Sequence, residues 1–469
     1  MDYQEAHKKF RSIEDDLNLF DARIGDFAFW DYLRYPIWDQ VLVATGLMDS
    51  ILGSAKDVGL SSRICTKMRV IKNVLLRNPS NSPQADFVFI GGGASRRVLN
   101  TNDEYEDPWC DSLINYLGEE RCQVWETSNS GRHHSYKYKN QFSSLDIFAQ
   151  LESLSRVESK FFNILNKKDQ SFISQIEARF DLDFGIQLNL CRQIEASMLR
   201  RKYILPVLMS CLKKVKPRAV FIMCSYFGRE IYVEACRKLR IPIIEIQHGT
   251  ISDYHLAYSY PKLGAKVMFP DYFLNFGRFW CDAVQLPIPQ DRVFTLGYPS
   301  IESKLNLTGI KKKQIVFVSQ RTIGLQLWEF ASKLAGMLPP DWMIVYKLHP
   351  AEFDDWQARY GEPNTSNIEI VAADGPSLHV LFSESLIQVG VYSTAIYEGL
   401  ALGCKTYLLD CPGVEYMQSL IDSGCSVVRL PEEVDLDNCK VDVWPDRECL
   451  FSKNWKSNFD TALCQMGLL

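Results

Sequence analysis

The sequence is poor in the residue patterns that announce a metal centre, a membrane span or a nucleic-acid surface. Its 469 residues hold 7 histidines, and none of the 14 cysteines pairs with another in a CxxC spacing. Zinc sites need such paired spacings, so the thiols read as small buried side chains in a reducing compartment, and no metal ligand set is expected. No apolar run approaches the roughly 18 residues of a membrane span. The first residues, Met1-Asp2-Tyr3-Gln4-Glu5, lack the basic-then-apolar order of a secretory leader, and a cytoplasmic location is expected. Positive charge is not in excess: 52 Lys and Arg stand against 57 Asp and Glu, a net charge of -5. Phosphate-backbone recognition needs a basic surface, so a nucleic-acid partner is not expected. Repeats at a 20–50 residue period, low-complexity tracts, a Walker A loop, HExxH, GxSxG and the kinase set are all missing, which removes support for zinc hydrolysis and serine-triad acyl transfer. The stretch FIGGGASRR (89–97) is not a GxGxxG fingerprint, because Arg96 stands where the third glycine belongs.

What is present is a foldable globular chain, 46% apolar and 23% charged. At roughly 100–200 residues per domain, its length calls for two large domains and additional helices. Residues 1–84 read as a helical segment, with Pro36 in AFWDYLRYPIWDQVLVATGL (28–47) marking a break or a helix start. From 85 to 305 buried-type strands such as ADFVFIGGG (85–93), RAVFIMCS (218–225) and IPIIEIQHG (241–249) alternate with helices. A polar, basic stretch at 306–314 is read as the linker. From there to 469 a second alternating series follows, with IVFVSQ (315–320), MIVYKLHP (343–350), SLIQVGVYS (385–393) and KTYLLD (405–410), and a terminal helix. Such alternation means βαβ units and a parallel sheet. The expected fold is therefore α/β, with two doubly wound Rossmann-type domains facing a cleft. In such sheets ligands bind beyond the carboxyl ends of the strands.

Several chemically capable residues fall at those strand ends. His248 and His349 each follow a strand, one in each domain, and His255 is close behind the first. Pro350 stops the strand ladder after His349, whose imidazole N–H can donate to a phosphate oxygen. Gln320 and Arg321 leave the first strand of the second domain, and an arginine fork suits phosphate. In VGVYSTAIYEGLALG (389–403) a strand reaches Ser393-Thr394 and a helix begins at once. Ser or Thr there is a good N-cap, and the helix start also offers free N–H groups to a phosphate. Glu398, one turn on, could accept from ribose hydroxyls. Phosphate together with ribose points to a nucleotide. The acidic stretch 100–111 supplies carboxylates, either a solvated loop or a source of a general base.

IPIIEIQHGTISDYHLAYSYP (241–261), PDYFLNFGRFWCDAV (270–284), TLGYPSIE (295–302), YKLHP (346–350) and the 389–403 stretch, in this order, resemble the bacterial GT-B glycosyltransferases of capsule and lipopolysaccharide biosynthesis, the sialic acid and Kdo transferases among them. WDYLRYPIWDQVL (30–42) resembles the helical lead of such enzymes. The resemblance implies a GT-B-like fold, with an acceptor side in the first domain and a nucleotide-sugar donor side in the second. It assigns donor binding to His349, Pro350, Ser393 and Thr394. The family's acidic base motif ending in glycine has no clear match here.

The expected activity is transfer of a sugar from a nucleotide-sugar donor, a co-substrate with no further cofactor, to a glycan or lipid-linked glycan acceptor of a surface polysaccharide. His248 is the foremost candidate for the base, with Glu104 and Asp107 behind it. A CDP-polyol phosphotransferase of the wall-polymer type, a sugar-nucleotide 2-epimerase and a catalytically dead nucleotide-sugar-binding module are the alternatives. A lipid-linked acceptor would require contact with the cytoplasmic face of the inner membrane. In SSRICTKMRVIKNVLLR (61–77), Ile64, Met68, Ile71 and Leu75 form an apolar stripe among five basic residues. This segment is either a helix packed on the first domain or a basic amphipathic helix that meets an anionic leaflet.

Overall fold

The computed structural model describes residues 1–48, 60–92, 97–98, 105–128, 133, 141–158, 164–307, 309–363, 365–439 and 446–469. Two parallel sheets organise it. The first comprises β1 (Phe87–Gly92), β2 (Cys122–Thr127), β3 (Phe142–Ser144), β4 (Ala219–Ile222), β5 (Ile243–Ile246), β6 (Tyr272–Asn275) and β7 (Val293–Thr295). Their order across the sheet is β3-β2-β1-β4-β5-β6-β7. The second comprises β8 (Lys312–Val318), β9 (Met343–Lys347), β10 (Ile368–Val371), β11 (Ser385–Gly390), β12 (Lys405–Leu409) and β13 (Ser426–Val428), ordered β10-β9-β8-β11-β12-β13. Every pairing within the two sheets is parallel. Their central strands, such as β1, β4 and β5, are buried on both faces, which is why they read as continuous apolar runs. This is the expected GT-B-like arrangement, doubly wound twice. In each sheet the winding reverses direction once, between β1 and β4 and between β8 and β11, and these switch points fix where a ligand crevice can open.

Helices α1 (Tyr3–Asp16) and α2 (Phe29–Ala44) form the N-terminal lead. Pro36 does not break the chain: α2 runs straight through it. A proline inside a helix costs about 3 kcal/mol. Trp30, Leu33, Ile37, Trp38 and Val41 are all buried on this helix, and at roughly 1.5–3 kcal/mol for each large apolar side chain their burial outweighs that cost. Arg34 clamps the lead to the loop after β5. Buried itself, it pairs with buried Glu14, Nη2 to Oε2 at 3.0 Å, and donates to the carbonyls of Leu256 and Ser259.

Helix α3 (Leu60–Leu76) bears on the membrane reading. Asn73 donates to Asp146 at 2.9 Å on the neighbouring helix α4 (Asp146–Glu158). Val70 and Val74 are half-buried, whereas Met68, Ile71 and Leu75 of the expected stripe are 66%, 58% and 66% exposed. The side chains of Arg63 and Ile64 lie outside the described residues. Among the described residues, no helix is long and apolar enough to cross a membrane.

Sequence order groups the terminal helix α6 (Trp455–Gln465) with the second domain, and the structure corrects that grouping. Phe459, Ala462 and Leu463 pack into the core of the first sheet with Phe87, Phe89 and Phe221. Asn458 donates to the Leu296 carbonyl at 3.1 Å. An apolar stripe declares that a helix is buried, but not against which sheet.

Candidate functional site

The two switch points open into one cavity of about 310 Å³. After β8 come Gln320, Arg321 and Thr322. After β9 come His349 and Ala351. After β11 come Tyr392 and Thr394, the first residue of helix α5 (Thr394–Ala401). All of these line the cavity. From the first domain they face Tyr226, beyond β4, and His248, Gly249, Thr250, His255 and Tyr258, beyond β5. The cavity thus draws together His248, Gln320, Arg321, His349 and Thr394 of the expected site.

On the second-domain side the backbone sets the chemistry. His349 caps the short turn Pro350–Glu352: the Ala351 N–H donates to its Nδ1 at 3.2 Å, and its own N–H donates to Glu352 at 2.8 Å. An Nδ1 that accepts places the proton of the neutral ring on Nε2, so the ring is set as an N–H donor. Pro350 shapes this turn and does not line the cavity. Ser393 is the N-cap of α5, its Oγ accepting from the Ala395 N–H at 3.3 Å. That leaves the Thr394 hydroxyl as the one of the pair that lines the cavity. Gln320 ties two loops together by accepting from the Tyr392 N–H at 3.2 Å.

Two expected ligand-binding side chains are engaged elsewhere. The Arg321 fork meets Asp355 at 2.8 and 3.0 Å and donates to the Ala351 carbonyl at 2.7 Å. Its charge reaches the cavity already balanced, and its evident work is to brace the turn that carries His349. Glu398 is buried against His379, Oε2 to Nε2 at 2.9 Å, and is not on the cavity wall.

On the first-domain side, His248 stands between two phenols. Its Nε2 is 3.4 Å from the Tyr226 hydroxyl and its Nδ1 3.4 Å from that of Tyr258. Burial, with the charge of Arg229 adding to it, pushes its pKa down to about 4. Tyr258 in turn donates to fully buried Glu245 at 2.7 Å, whose own pKa burial raises to about 7. His255 stacks on Tyr35, centroids 5.3 Å apart and planes within 9°, and burial takes its pKa to about 3. The other two base candidates fare differently. Asp107 is buried off the cavity, its Oδ1 accepting from the N–H groups of Trp109 and Cys110 at 3.0 Å each, the ordinary use of an aspartate in a turn. Glu104 lies outside the described residues.

The sequence reading passed over the wall that α2 supplies. Tyr35, Trp38, Asp39 and Leu42 line the cavity at i, i+3, i+4 and i+7, one helical face. Tyr416, from the loop after β12, closes the same wall, packed on Tyr392 and on Tyr3 of α1 at 5.5 and 5.6 Å. That i+3/i+4 spacing was legible, but α2 is apolar nearly all round and gives no sign of which face meets a cleft. Among the described residues, no group of three or more His, Cys, Asp or Glu is placed to hold a metal ion.

No protein-family model and no curated protein matches the chain. Solved structures with a similar path include the UDP-GlcNAc 2-epimerase from Methanocaldococcus jannaschii (TM-score 0.47, 10% identity, covering 81% of this chain and 99% of that one). Another is the UDP-GlcNAc 2-epimerase from Neisseria meningitidis bound to UDP-GlcNAc (TM-score 0.44, 12% identity, 81% and 99%). A third is MurG from Acinetobacter baumannii (TM-score 0.42, 14% identity, 82% and 92%).

Proposed function

We propose that this chain is a glycosyltransferase that moves a sugar from a nucleotide-sugar donor to a surface-polysaccharide acceptor. The observation that carries the reading is the single cavity at both switch points, where His349, Thr394 and the start of α5 oppose His248 and Thr250. A helix N-terminus and a fixed imidazole N–H together suit the phosphate of a leaving nucleotide. As the bond to the sugar breaks, the negative charge growing on that phosphate is what these groups would stabilise. The opposite wall is aromatic, with Tyr35, Trp38, Tyr226 and Tyr258, and such faces with a few fixed polar groups suit the apolar face of a sugar ring.

The wall contributed by the helical lead favours transfer over 2-epimerisation, because epimerisation needs no second substrate in the cleft. The donor is a co-substrate, and the reading requires no other cofactor. For the acceptor we favour a capsule or lipopolysaccharide glycan, lipid-linked and reached at the cytoplasmic face of the inner membrane. The outward face of α3 supports that placement: Met68, Ile71, Leu75 and Leu76 are exposed beside Lys67, Arg69 and Lys72.

Calorimetry with CMP-, CDP-, UDP-, GDP- and dTDP-linked donors, followed by product analysis, tests the reading. One nucleotide class should bind and raise the unfolding midpoint, and the sugar should reach an added glycan. Absence of binding by every donor overturns it. A donor returned with its sugar epimerised at C2 establishes the epimerase instead.

A further inference from the structure

We infer that Asp39, on the cleft-facing side of α2, is the general base that takes the proton from the acceptor hydroxyl. The inference rests on the glycosyl-transfer reading above and supplies the group that reading lacks. Asp39 is the one carboxylate among the described residues lining the cavity.

The other candidates are engaged elsewhere. The His248 nitrogens both stand at tyrosine hydroxyls, so the ring is engaged at both ends. His255 is stacked on Tyr35, the ring planes within 9°. His349 accepts from a backbone N–H through Nδ1, so its remaining nitrogen is a donor. Asp107 is spent on its own turn, away from the cavity.

Asp39 is differently placed. It is half-buried, and burial alone raises its pKa above the ordinary aspartate value, toward the pH at which a base must work. Among the influences on Tyr35 of its own helix and Tyr416 of the opposing domain, both raised chiefly by burial, is the negative charge of Asp39. A half-buried carboxylate on an aromatic cavity wall is suited to receive a sugar hydroxyl. On the same helix face stand Tyr35 at i−4 and Leu42 at i+3, with Trp38 beside it.

In the step, the acceptor O–H bond breaks and its proton passes to an Asp39 oxygen. The acceptor oxygen forms a bond to the anomeric carbon. The bond from that carbon to the donor's phosphate oxygen breaks, and its electron pair leaves with the nucleotide. Its charge is received at His349, Thr394 and the α5 terminus.

The test uses the full chain, the five-nucleotide donor panel and an added oligosaccharide mixture, reading nucleotide released and, in parallel, nucleotide bound. Asp39→Asn should bind the donor's nucleotide within about twofold of wild type, yet release it at least about 100-fold more slowly, the range a general base supplies. Asp39→Ala should be equally slow and should recover about tenfold or more with added formate, which can occupy the vacated space as a carboxylate; wild type should not respond. Thermal unfolding of both variants checks that they fold. Release by Asp39→Asn within threefold of wild type, or Asp39→Ala without formate rescue, overturns the role of Asp39 and leaves the donor site standing. A wild-type chain that neither binds nor turns over any donor overturns the glycosyl-transfer reading, and this assignment with it.

Discussion

The hydroxyls of Thr250 and Thr394 lie 3.4 Å apart, one from the loop beyond β5 and the other from the first turn of α5. With 144 positions between them in the chain, they join the carboxyl edges of two separate sheets at one point on the cavity wall. On the proposed reading, a donor held at the α5 terminus would sit against the first domain from the outset.

Thr394 and its neighbour should separate cleanly by mutation. Thr394→Val keeps the shape and removes the hydroxyl, and it should weaken nucleotide binding about fivefold, roughly 1 kcal/mol, with the unfolding midpoint nearly unchanged. Ser393→Ala removes the cap and should cost about 1 kcal/mol of stability. Calorimetry and urea unfolding on the two variants check the division, and the reverse pattern would refute it.

His349→Ala should weaken nucleotide binding by roughly 1.5–3 kcal/mol, the range for a hydrogen bond to a charged group. The ring is exposed at a turn, so the fold should survive. Unchanged affinity by calorimetry would remove His349 from the donor site.

Glu14→Ala should strip the buried Arg34 guanidinium of its counter-ion. Leaving a buried charge unpaired costs about 3–5 kcal/mol, and the loss should appear as a lower urea midpoint. Because Arg34 holds α2 to the loop carrying Leu256 and Ser259, donor turnover should fall as well. A stability change below about 1 kcal/mol would show the clamp to be dispensable.

Glu245 gives a pH signature. Its folded pKa of about 7 stands above the ordinary 4.5, so the native state binds the extra proton. Its contribution is fully present below about pH 4.5 and is lost as pH rises through 7, a span of up to about 3 kcal/mol. Glu245→Gln keeps an acceptor for Tyr258 and removes this loss. Relative to wild type, the variant should therefore gain stability between pH 4.5 and 8 in urea titrations at each pH, and parallel curves would contradict the assignment.

Vesicle co-sedimentation tests the α3 face. Each basic residue near an anionic leaflet contributes about 1 kcal/mol, so the chain should pellet with anionic vesicles at low salt and not with neutral ones. Charge reversal of Lys67, Arg69 and Lys72 to Glu, or Met68→Asp with Leu75→Asp, should abolish pelleting. Equal pelleting of wild type and variants would exclude this face as the contact.

The sequence by itself determined the two parallel sheets, and with them the positions of His248, His349, Ser393 and Thr394 at strand ends. Runs such as IVFVSQ and SLIQVGVYS pair on both sides, and that pairing is written locally as continuous apolar character. The Ser393 cap is likewise a matter of a residue and the N–H two positions on. Only the tertiary structure decided which side chains meet across distance. It took the Arg321 fork for Asp355 and Glu398 for His379, returned α6 to the first sheet, carried α2 through Pro36 and turned Asp39 into the cleft. The physical reason is range. Periodicity and capping act within a few residues, whereas Arg34 finds its carbonyl partners 222 and 225 positions away, and no local pattern states which of two nearly all-apolar helix faces will be covered by such a contact.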